Sequence, residues 1–134
     1  MHKTKIVTSF LKNSDKILLL RRSEKVKSMK NLWAGISGII EGDEKPIKRA
    51  QIEINEEVGI EESDITLVKE GHIILIESPQ YENHQWEVYP FLFSCTKREI
   101  ELNWENSDSK WIYMNELGNF RTVPSLDKVL ARLF

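Results

Sequence analysis

Three glutamates, Glu53, Glu56 and Glu57, have the types and the spacing most able to do chemistry in this chain. Residues three and four positions apart lie on one face of an α-helix, so these carboxylates would converge. Like charges on one face repel each other, and a divalent cation that prefers oxygen ligands, such as Mg²⁺, turns that repulsion into binding. Glu44 lies upstream and is a further oxygen donor. The pattern predicts a metal site, although a solvated acidic surface would show the same charges.

The residues around these glutamates predict a loop, a helix and a helix end, which must position the carboxylates. Gly38 and Gly42 indicate the loop. Pro46 suits the first helical turn, where its missing N–H costs nothing, and Gly59 suits the position after the last turn. Apolar residues recur at helical spacing and would pack against a sheet: Ile47, Ala50, Ile54 and Val58. The glutamates would then border the buried face.

The stretch from Gly38 to Ile60 resembles the Nudix box, whose pattern is Gly, five residues, Glu, seven residues, then Arg-Glu-aliphatic-x-Glu-Glu-x-Gly-aliphatic. Ile52 stands where the family has arginine, and eight positions match in register: Gly38, Glu44, Glu53, Ile54, Glu56, Glu57, Gly59 and Ile60. The resemblance implies an α/β Nudix fold over residues 1–134, a single domain with a mixed β-sheet sandwiched between helices. It also implies a hydrolase of nucleoside diphosphate-linked compounds that uses Mg²⁺, with Mn²⁺ as a substitute.

The resemblance also implies roles for the acidic residues. Glu53 and Glu57 are the expected metal ligands, followed by Glu56. Glu44 is expected to bind the metal directly or through water, or to orient another glutamate. The general base would be a spare box glutamate, with Glu56 as the candidate, or Glu105, which precedes a polar stretch similar to the one before the last strand of the family. Gly38 and Gly59 would have structural roles, in the loop before the helix and just after its last turn.

The missing arginine needs a replacement, because the family residue braces the box glutamates by charge-assisted hydrogen bonds and Ile52 cannot. Arg49 lies one turn earlier and, on a helical wheel, close to Glu53 and Glu56. Its planar guanidinium can hold a carboxylate with two hydrogen bonds. We therefore expect Arg49 to brace the glutamates. The alternative is a surface arginine beside a weakened or inactive site.

Substrate-binding side chains are harder to identify, because the box handles only the diphosphate. Arg21 and Arg22 end a predicted strand, and either is able to bind a phosphate group of the substrate. We take Arg21 as the candidate for this contact. Trp33 is able to stack on a base, with core packing as the alternative. Residues 86–96 are rich in aromatic side chains, and Phe91 is the candidate contact with a nucleobase. His84 is a weaker candidate.

The remaining sequence predicts strands at 5–11, 16–22, 65–70, 71–77, 86–96, 99–104 and 111–114, with a closing helix at 124–134. The first two strands would form a hairpin around a turn at 12–15. A polar, lysine-rich loop at 23–31 and a polar loop at 78–85, which carries Tyr81 and His84, would connect other elements. Pro90 indicates an irregular or edge portion in its strand, since proline lacks the N–H that a sheet uses.

Composition narrows the class of protein. Hydrophobic residues make up 40% of the chain and charged residues 30%, and the net charge is −2. This charge argues against bulk binding to nucleic acid or to an anionic membrane. Cys95 is the only cysteine, so an internal disulfide is impossible, and no apolar run is long enough for a signal peptide or a membrane span. We expect a cytoplasmic enzyme with a small nucleotide substrate; a homodimer stays open.

The sequence is compatible with three functions. A triphosphate pyrophosphohydrolase and a pyrophosphatase of ADP-ribose or dinucleotides are the two enzymatic ones, and the box residues do not separate them. The third is a non-catalytic module that binds or senses a nucleotide on the same fold. The isoleucine at position 52 is the main support for this third function.

Overall fold

In the computed structural model, which describes residues 2–78 and 82–134, eight strands form one mixed β-sheet. The elements follow the order β1 (His2–Asn13), β2 (Lys16–Arg22), β3 (Trp33–Ala34), β4 (Ile36–Ile39), α1 (Pro46–Val58), β5 (Ile65–Glu70), β6 (Ile74–Glu77), β7 (His84–Cys95), β8 (Asn106–Tyr113) and α2 (Leu126–Ala131). Two short 3₁₀ helices, Glu62–Asp64 and Met114–Asn119, precede β5 and follow β8. Tyr81 lies outside the described residues.

Strand β1 is the centre of the sheet. It pairs in parallel with β7 along its length, from His2 opposite His84 to Lys12 opposite Ser94. Its other edge pairs with β2 only at Lys12 and Asn13, beside the turn, and with β4 farther along. The predicted hairpin is therefore paired only next to its turn. Beyond the turn, β2 pairs with β8, and β4 is the neighbour of β1.

The sheet has a hydrophobic core on each face, because buried side chains of β1 alternate between the two faces. On one face, Val7 and Leu11 pack with the α1 stripe of Ala50, Ile54 and Val58. On the other, Phe10 packs with α2 through Leu126, Val129 and Leu130. A mixed sheet between helices confirms the predicted fold class.

Helix α1 begins and ends where the sequence indicates. Pro46 is its first residue, and Gly59 follows Val58 with φ 72° and ψ 22°, the left-handed conformation that glycine adopts at least cost. The Gly59 N–H donates to the Asn55 carbonyl at 3.0 Å, which satisfies one of the last free carbonyls of the helix. The helix of the box therefore has well-defined ends at Pro46 and Val58.

Two predictions about strands have different outcomes. The predicted strand at 99–104 is wrong: this segment has no regular structure, although Ile100 and Leu102 still pack against the core. Pro90 lies where expected, at an irregular place in β7, opposite the gap between β5 and β6. There the Gly71 N–H donates to the Pro90 carbonyl at 2.9 Å, and the missing proline N–H faces no strand on that side.

Within the described residues, no helix is long and apolar enough to cross a membrane.

Candidate functional site

A cavity of about 470 Å³ lies between the loop before α1, the sheet and α2. It has two parts of different chemistry. The charged part carries Glu53, Arg49, Glu41, Glu105 and Arg22. The apolar part includes Ile6, Ile39, Ile76, Trp86, Val88 and Leu126. A concave site with an apolar wall and a few charged groups is typical of binding sites for small molecules.

Helix α1 places the three box glutamates in different surroundings. Glu53 and Glu57 are 8% and 4% exposed, because they follow the edge of the apolar stripe beneath the helix. Glu56 lies on the solvent side of the same edge and is exposed. Buried carboxylates are uncommon unless they are paired or bind a cation. The two buried glutamates are therefore the ones that need a structural or chemical explanation.

The carboxylate of Glu57 is only half satisfied. Its Oε1 accepts a hydrogen bond of 3.1 Å from the side-chain amide of Asn106, but its buried Oε2 has no hydrogen-bond partner. Burial raises the pKa of Glu57 well above its usual value, and the negative charge of Glu105 adds to this effect. A buried carboxylate oxygen without a partner is costly unless a proton or a cation reaches it.

The carboxylate of Glu53 is held by an arginine. Arg49 Nη1 donates to Glu53 Oε2 at 3.0 Å. Burial raises the pKa of Glu53, and the hydrogen bond from Arg49 opposes that rise. Gly38 packs against this side chain so closely that a Cβ at position 38 would overlap Glu53. The loop and the helix therefore fix Glu53 from two sides.

Arg49 joins the loop to the helix. Besides Glu53, it binds Glu44 with two hydrogen bonds, from Nε to Oε1 at 2.6 Å and from Nη2 to Oε2 at 3.0 Å. Glu44 Oε1 also accepts from the backbone N–H of Glu41 at 2.7 Å. The bonds from Arg49 lower the pKa of Glu44 and raise the pKa of Arg49. With both its oxygens taken, Glu44 fits the orienting role better than the role of a metal ligand.

Glu105 lies in the turn just before β8 and lines the charged part of the cavity. Asn103 fixes this turn, because its side chain donates to Glu105 Oε1 at 3.2 Å and accepts from the Glu105 N–H at 3.1 Å. The backbone of Glu105 is bound to the end of β2 through the Ser23 N–H at 2.8 Å. These contacts bring a residue distant in sequence to the box glutamates.

Three predicted substrate contacts need correction. Arg21 is exposed and lies outside the cavity, whereas Arg22 lines it, and neighbouring side chains of a strand point to opposite faces. Phe91 is completely buried, and it stacks on Phe93 in the core beneath α1. Trp33 is 9% exposed and packs edge-on against Phe120, so core packing accounts for it.

Two residues of the site were missed by the sequence prediction. Asn106 is buried and holds Glu57, but nothing in its local sequence indicates a partner 49 positions away. Trp86 lines the apolar part of the cavity. The alternation along residues 86–96 does separate Trp86 from Phe91, which is a usable signal. It does not say which face of the strand is left open.

The donor set fits a hard cation that keeps much of its water. Among residues 2–78 and 82–134, no three acidic, histidine or cysteine side chains stand in a geometry that would hold a metal ion by themselves. Mg²⁺ usually binds through one or two carboxylates, several waters and substrate phosphates, so a complete protein cage is not required. The unpartnered oxygen of Glu57, beside Glu53, supplies a suitable starting point.

Comparison with known proteins gives one family. The family model described as NUDIX domain matches residues 2–133. Among curated proteins, no sequence matches the chain significantly. A MutT NUDIX hydrolase from Burkholderia pseudomallei has a similar structure, with a TM-score of 0.79, 15% identity and coverage of 100% of both chains.

Two further solved structures show the same fold. The MutT protein from Methanosarcina mazei Go1 has a TM-score of 0.77 and 20% identity, over 98% of this chain and 92% of that one. The NUDIX domain of Shewanella oneidensis NrtR, solved in complex with ADP ribose, has a TM-score of 0.79 and 14% identity, over 99% and 87%. At these identities the likeness concerns the fold alone.

Proposed function

The chain belongs to the Nudix family, and from this premise we propose that it is a Mg²⁺-dependent hydrolase that cleaves a phosphoanhydride bond of a nucleoside diphosphate-linked compound. The observation that carries the proposal is the buried, unpartnered Oε2 of Glu57 in a cluster of carboxylates. A solvated acidic surface would not bury such an oxygen. A cation bound there would remove its desolvation cost and would be available to a phosphate group in the neighbouring cavity.

The chain's own residues divide the work. Glu53 and Glu57 would hold the metal, and Glu56, exposed at the same edge, would complete its surroundings or act as a base. A bound Mg²⁺ would neutralise the charge of the diphosphate and favour attack by water. Glu105 lines the cavity and is the preferred base, because a base must reach the attacking water within hydrogen-bond distance.

Arg22 would provide a positive charge for the phosphates. Its Nε and Nη2 both donate to the Ser28 carbonyl, at 3.2 and 3.0 Å, so the guanidinium is held in one orientation while it lines the cavity. Arginine suits phosphate binding because its planar donors match phosphate oxygens. Arg22 would therefore take the role expected of Arg21.

Arg49 would act as a positioning residue for Glu53. Its three hydrogen bonds to Glu44 and Glu53 support this role, which would replace that of the arginine at position 52 of the family pattern from a place one turn earlier. The side chains involved are largely buried, at 13% exposure for Arg49, 21% for Glu44 and 11% for Glu53, so their ion pairs are less screened than surface pairs. The arginine missing at position 52 is therefore compatible with an active site.

A panel of candidate substrates tests this function. Nucleoside triphosphates, ADP-ribose and dinucleoside polyphosphates would be incubated with Mg²⁺ or Mn²⁺, and both products of each reaction identified. We expect hydrolysis of at least one class and its loss when the metal is chelated. Products that contain inorganic pyrophosphate would indicate a triphosphate pyrophosphohydrolase. Two phosphate-containing organic fragments would indicate a pyrophosphatase of the ADP-ribose or dinucleotide type.

A nucleotide-binding module without catalysis is the second candidate. The similar NUDIX domain from Shewanella oneidensis holds ADP ribose, so ADP-ribose is the first ligand to test for binding. Tight binding without turnover of any compound in the panel would favour this candidate over the enzyme. Either protein would belong in the cytoplasm, where the sole and buried cysteine, Cys95, stays reduced.

A further inference from the structure

A single hydrogen bond from a neutral side chain holds the carboxylate of Glu57. Asn106 Nδ2 donates to Glu57 Oε1 at 3.1 Å, whereas the buried Oε2 has no hydrogen-bond partner. Glu57 is 4% exposed and Asn106 is 8% exposed, so the bond is shielded from water. An ionised carboxylate oxygen only accepts hydrogen bonds, so the amide presents its Nδ2 to it. Asn106 therefore determines which of the two oxygens of Glu57 is left free.

The pairing of β8 with β2 places Asn106 beside the site. Arg21 lies opposite Asp108 and Arg22 lies opposite Asn106, so β8 has one extra residue between these pairs, Ser107. Cross-strand partners point to the same face, so Asn106 shares its face with Arg22, which lines the cavity. Bulges of this kind change the direction of a side chain and are frequent next to active sites. The sheet, and not the helix of the box, thus supplies the donor.

The partner of Glu57 is neutral, unlike the partner of Glu53. Arg49 Nη1 donates to Glu53 Oε2 at 3.0 Å, and its positive charge offsets part of the negative charge there. An amide orients a carboxylate by a hydrogen bond but brings no net charge. A lysine or an arginine in place of Asn106 would compete with a cation for the same carboxylate. Asn106 therefore holds Glu57 in position and leaves its charge available to a cation.

The two buried carboxylates each have one oxygen that is already engaged. Arg49 binds Oε2 of Glu53, and Asn106 binds Oε1 of Glu57. Ca²⁺ takes about six to eight oxygen ligands and often binds both oxygens of one carboxylate, whereas Mg²⁺ takes about six and keeps several waters. A site that offers one oxygen from each carboxylate therefore suits Mg²⁺ better than Ca²⁺.

We propose that Asn106 is a positioning residue that makes the carboxylate site favour Mg²⁺ over Ca²⁺, because it keeps Oε1 of Glu57 from binding the cation. The inference rests on the proposed function, since it assumes that the cation binds at Glu53 and Glu57. It adds a residue outside the box, with a task that is separate from folding. Without the hydrogen bond, the Glu57 carboxylate is free to rotate and to offer both oxygens to one larger cation.

Calorimetric titration of the metal-free protein with Mg²⁺ and with Ca²⁺ tests the proposal without turnover. The measured quantity is the Kd for Ca²⁺ divided by the Kd for Mg²⁺, and we expect this ratio to exceed one in the parent. Asn106→Leu removes the donor, and the ratio should then fall by about tenfold, on the scale at which partners of metal ligands affect affinity. Binding of Mg²⁺ should weaken, and binding of Ca²⁺ should stay unchanged or become tighter.

Two further variants separate selectivity from stability. Asn106→Ala removes the same donor with a smaller side chain, so it should lower the ratio as well if leucine does not fit. Asn13→Leu is the matched control, because Asn13 Nδ2 donates to the Cys95 carbonyl at 2.7 Å and Asn13 is not among the residues that line the cavity. This control should lower the Tm and leave the ratio unchanged. Circular dichroism would check that each variant is folded.

Four results would overturn the proposal: a parent without preference for Mg²⁺ or without binding of either ion, an equal loss for both ions in a folded Asn106 variant, an unchanged ratio in that variant, or failure of both Asn106 variants to fold. The outcome is separable from that of the proposed function. Hydrolysis of a panel compound by a parent that binds both ions equally would retain the enzyme and remove the role of Asn106. A preference for Mg²⁺ that depends on Asn106, without hydrolysis of any panel compound, would do the reverse.

Discussion

Glu53 and Glu57 lie one turn apart on α1, and both are buried, yet the protein treats their charges differently. Glu53 has an arginine partner, which also binds Glu44 in the preceding loop. Glu57 has a neutral amide on one oxygen and nothing on the other. The carboxylate of Glu53 thus belongs to an ion-pair network, whereas that of Glu57, which we call the open carboxylate, has one oxygen without a hydrogen-bond partner. Arg49 therefore compensates part of the charge of Glu53 directly, whereas Glu57 has only the more distant charge of Arg22, and its unpartnered oxygen is suited to receive a proton or a cation.

Removing the open carboxylate should have the largest effect. Glu57→Gln keeps the size of the side chain and removes its charge, so we expect kcat to fall by about 10³-fold, on the scale of one lost preorganised electrostatic contact. The fold should persist, because the glutamine amide has the size of the carboxylate and its oxygen can still accept the hydrogen bond from Asn106. Steady-state kinetics over a range of Mg²⁺ concentrations, together with the Tm, would measure both effects. Parent rates in both Glu53→Gln and Glu57→Gln would show that the metal assignment is wrong.

Glu105 allows catalysis to be separated from metal binding, because it lies near the open carboxylate of Glu57 but is not an expected metal ligand. Glu105→Gln should lower kcat and kcat/KM together by about 10²-fold, at the lower end of the range for general-base catalysis. The apparent affinity for Mg²⁺ should change little, and the acidic limb of the pH–rate profile should flatten. An unchanged kcat and pH profile would move the base to a box glutamate, with Glu56 the first to test.

The sequence predicts the local parts of this arrangement and misses the distant ones. Helix α1 follows from its own apolar repeat, its proline and its closing glycine, and Arg49 follows from helical spacing to Glu53. The link between Asn106 and Glu57 depends on where β8 joins the sheet. Arg22, and not Arg21, lines the cavity, because neighbouring strand side chains point to opposite faces and only the packed fold decides which face borders the cavity. Such long-range packing leaves no mark in a short stretch of sequence.

The ion-pair network of Arg49, Glu44 and Glu53 can be removed by mutation. Arg49→Ala would leave Glu53 and Glu44 without their shared partner, and we expect a loss of about tenfold in kcat and in Mg²⁺ affinity, as for an outer residue that orients a ligand. Lys48→Ala is the control, because Lys48 is a neighbouring, exposed cation that forms a long ion pair of 3.8 Å with Glu62.

Rescue distinguishes bracing from a general loss of stability. Ile52→Arg restores the family residue, and in the Arg49→Ala background it should recover part of both the Mg²⁺ affinity and the activity. The two variants would be compared by calorimetry with Mg²⁺ and by the Tm. Equal, small effects of Arg49→Ala and Lys48→Ala would contradict the bracing role.

The smallest expected effect is on stability as a function of pH. The folded state raises the pKa of Glu57 above its usual value of 4.5, so it binds a proton more strongly than the unfolded state does. This contribution to stability is fully present below pH 4.5 and is lost as the pH rises through the folded pKa. Without metal, the Tm of the parent should therefore fall more steeply than that of Glu57→Gln as the pH rises. Identical slopes would mean that Glu57 is not strained by its burial.

Mg²⁺ binding to the protein alone tests the central claim most directly. Calorimetric titrations at pH 7.5 would compare the parent with Glu57→Gln and with Arg49→Ala. The account predicts that the parent binds Mg²⁺, that Arg49→Ala binds it about tenfold more weakly, and that Glu57→Gln shows no measurable binding, because the open carboxylate is where the cation begins its coordination. A Glu57→Gln variant that binds Mg²⁺ as tightly as the parent would contradict it.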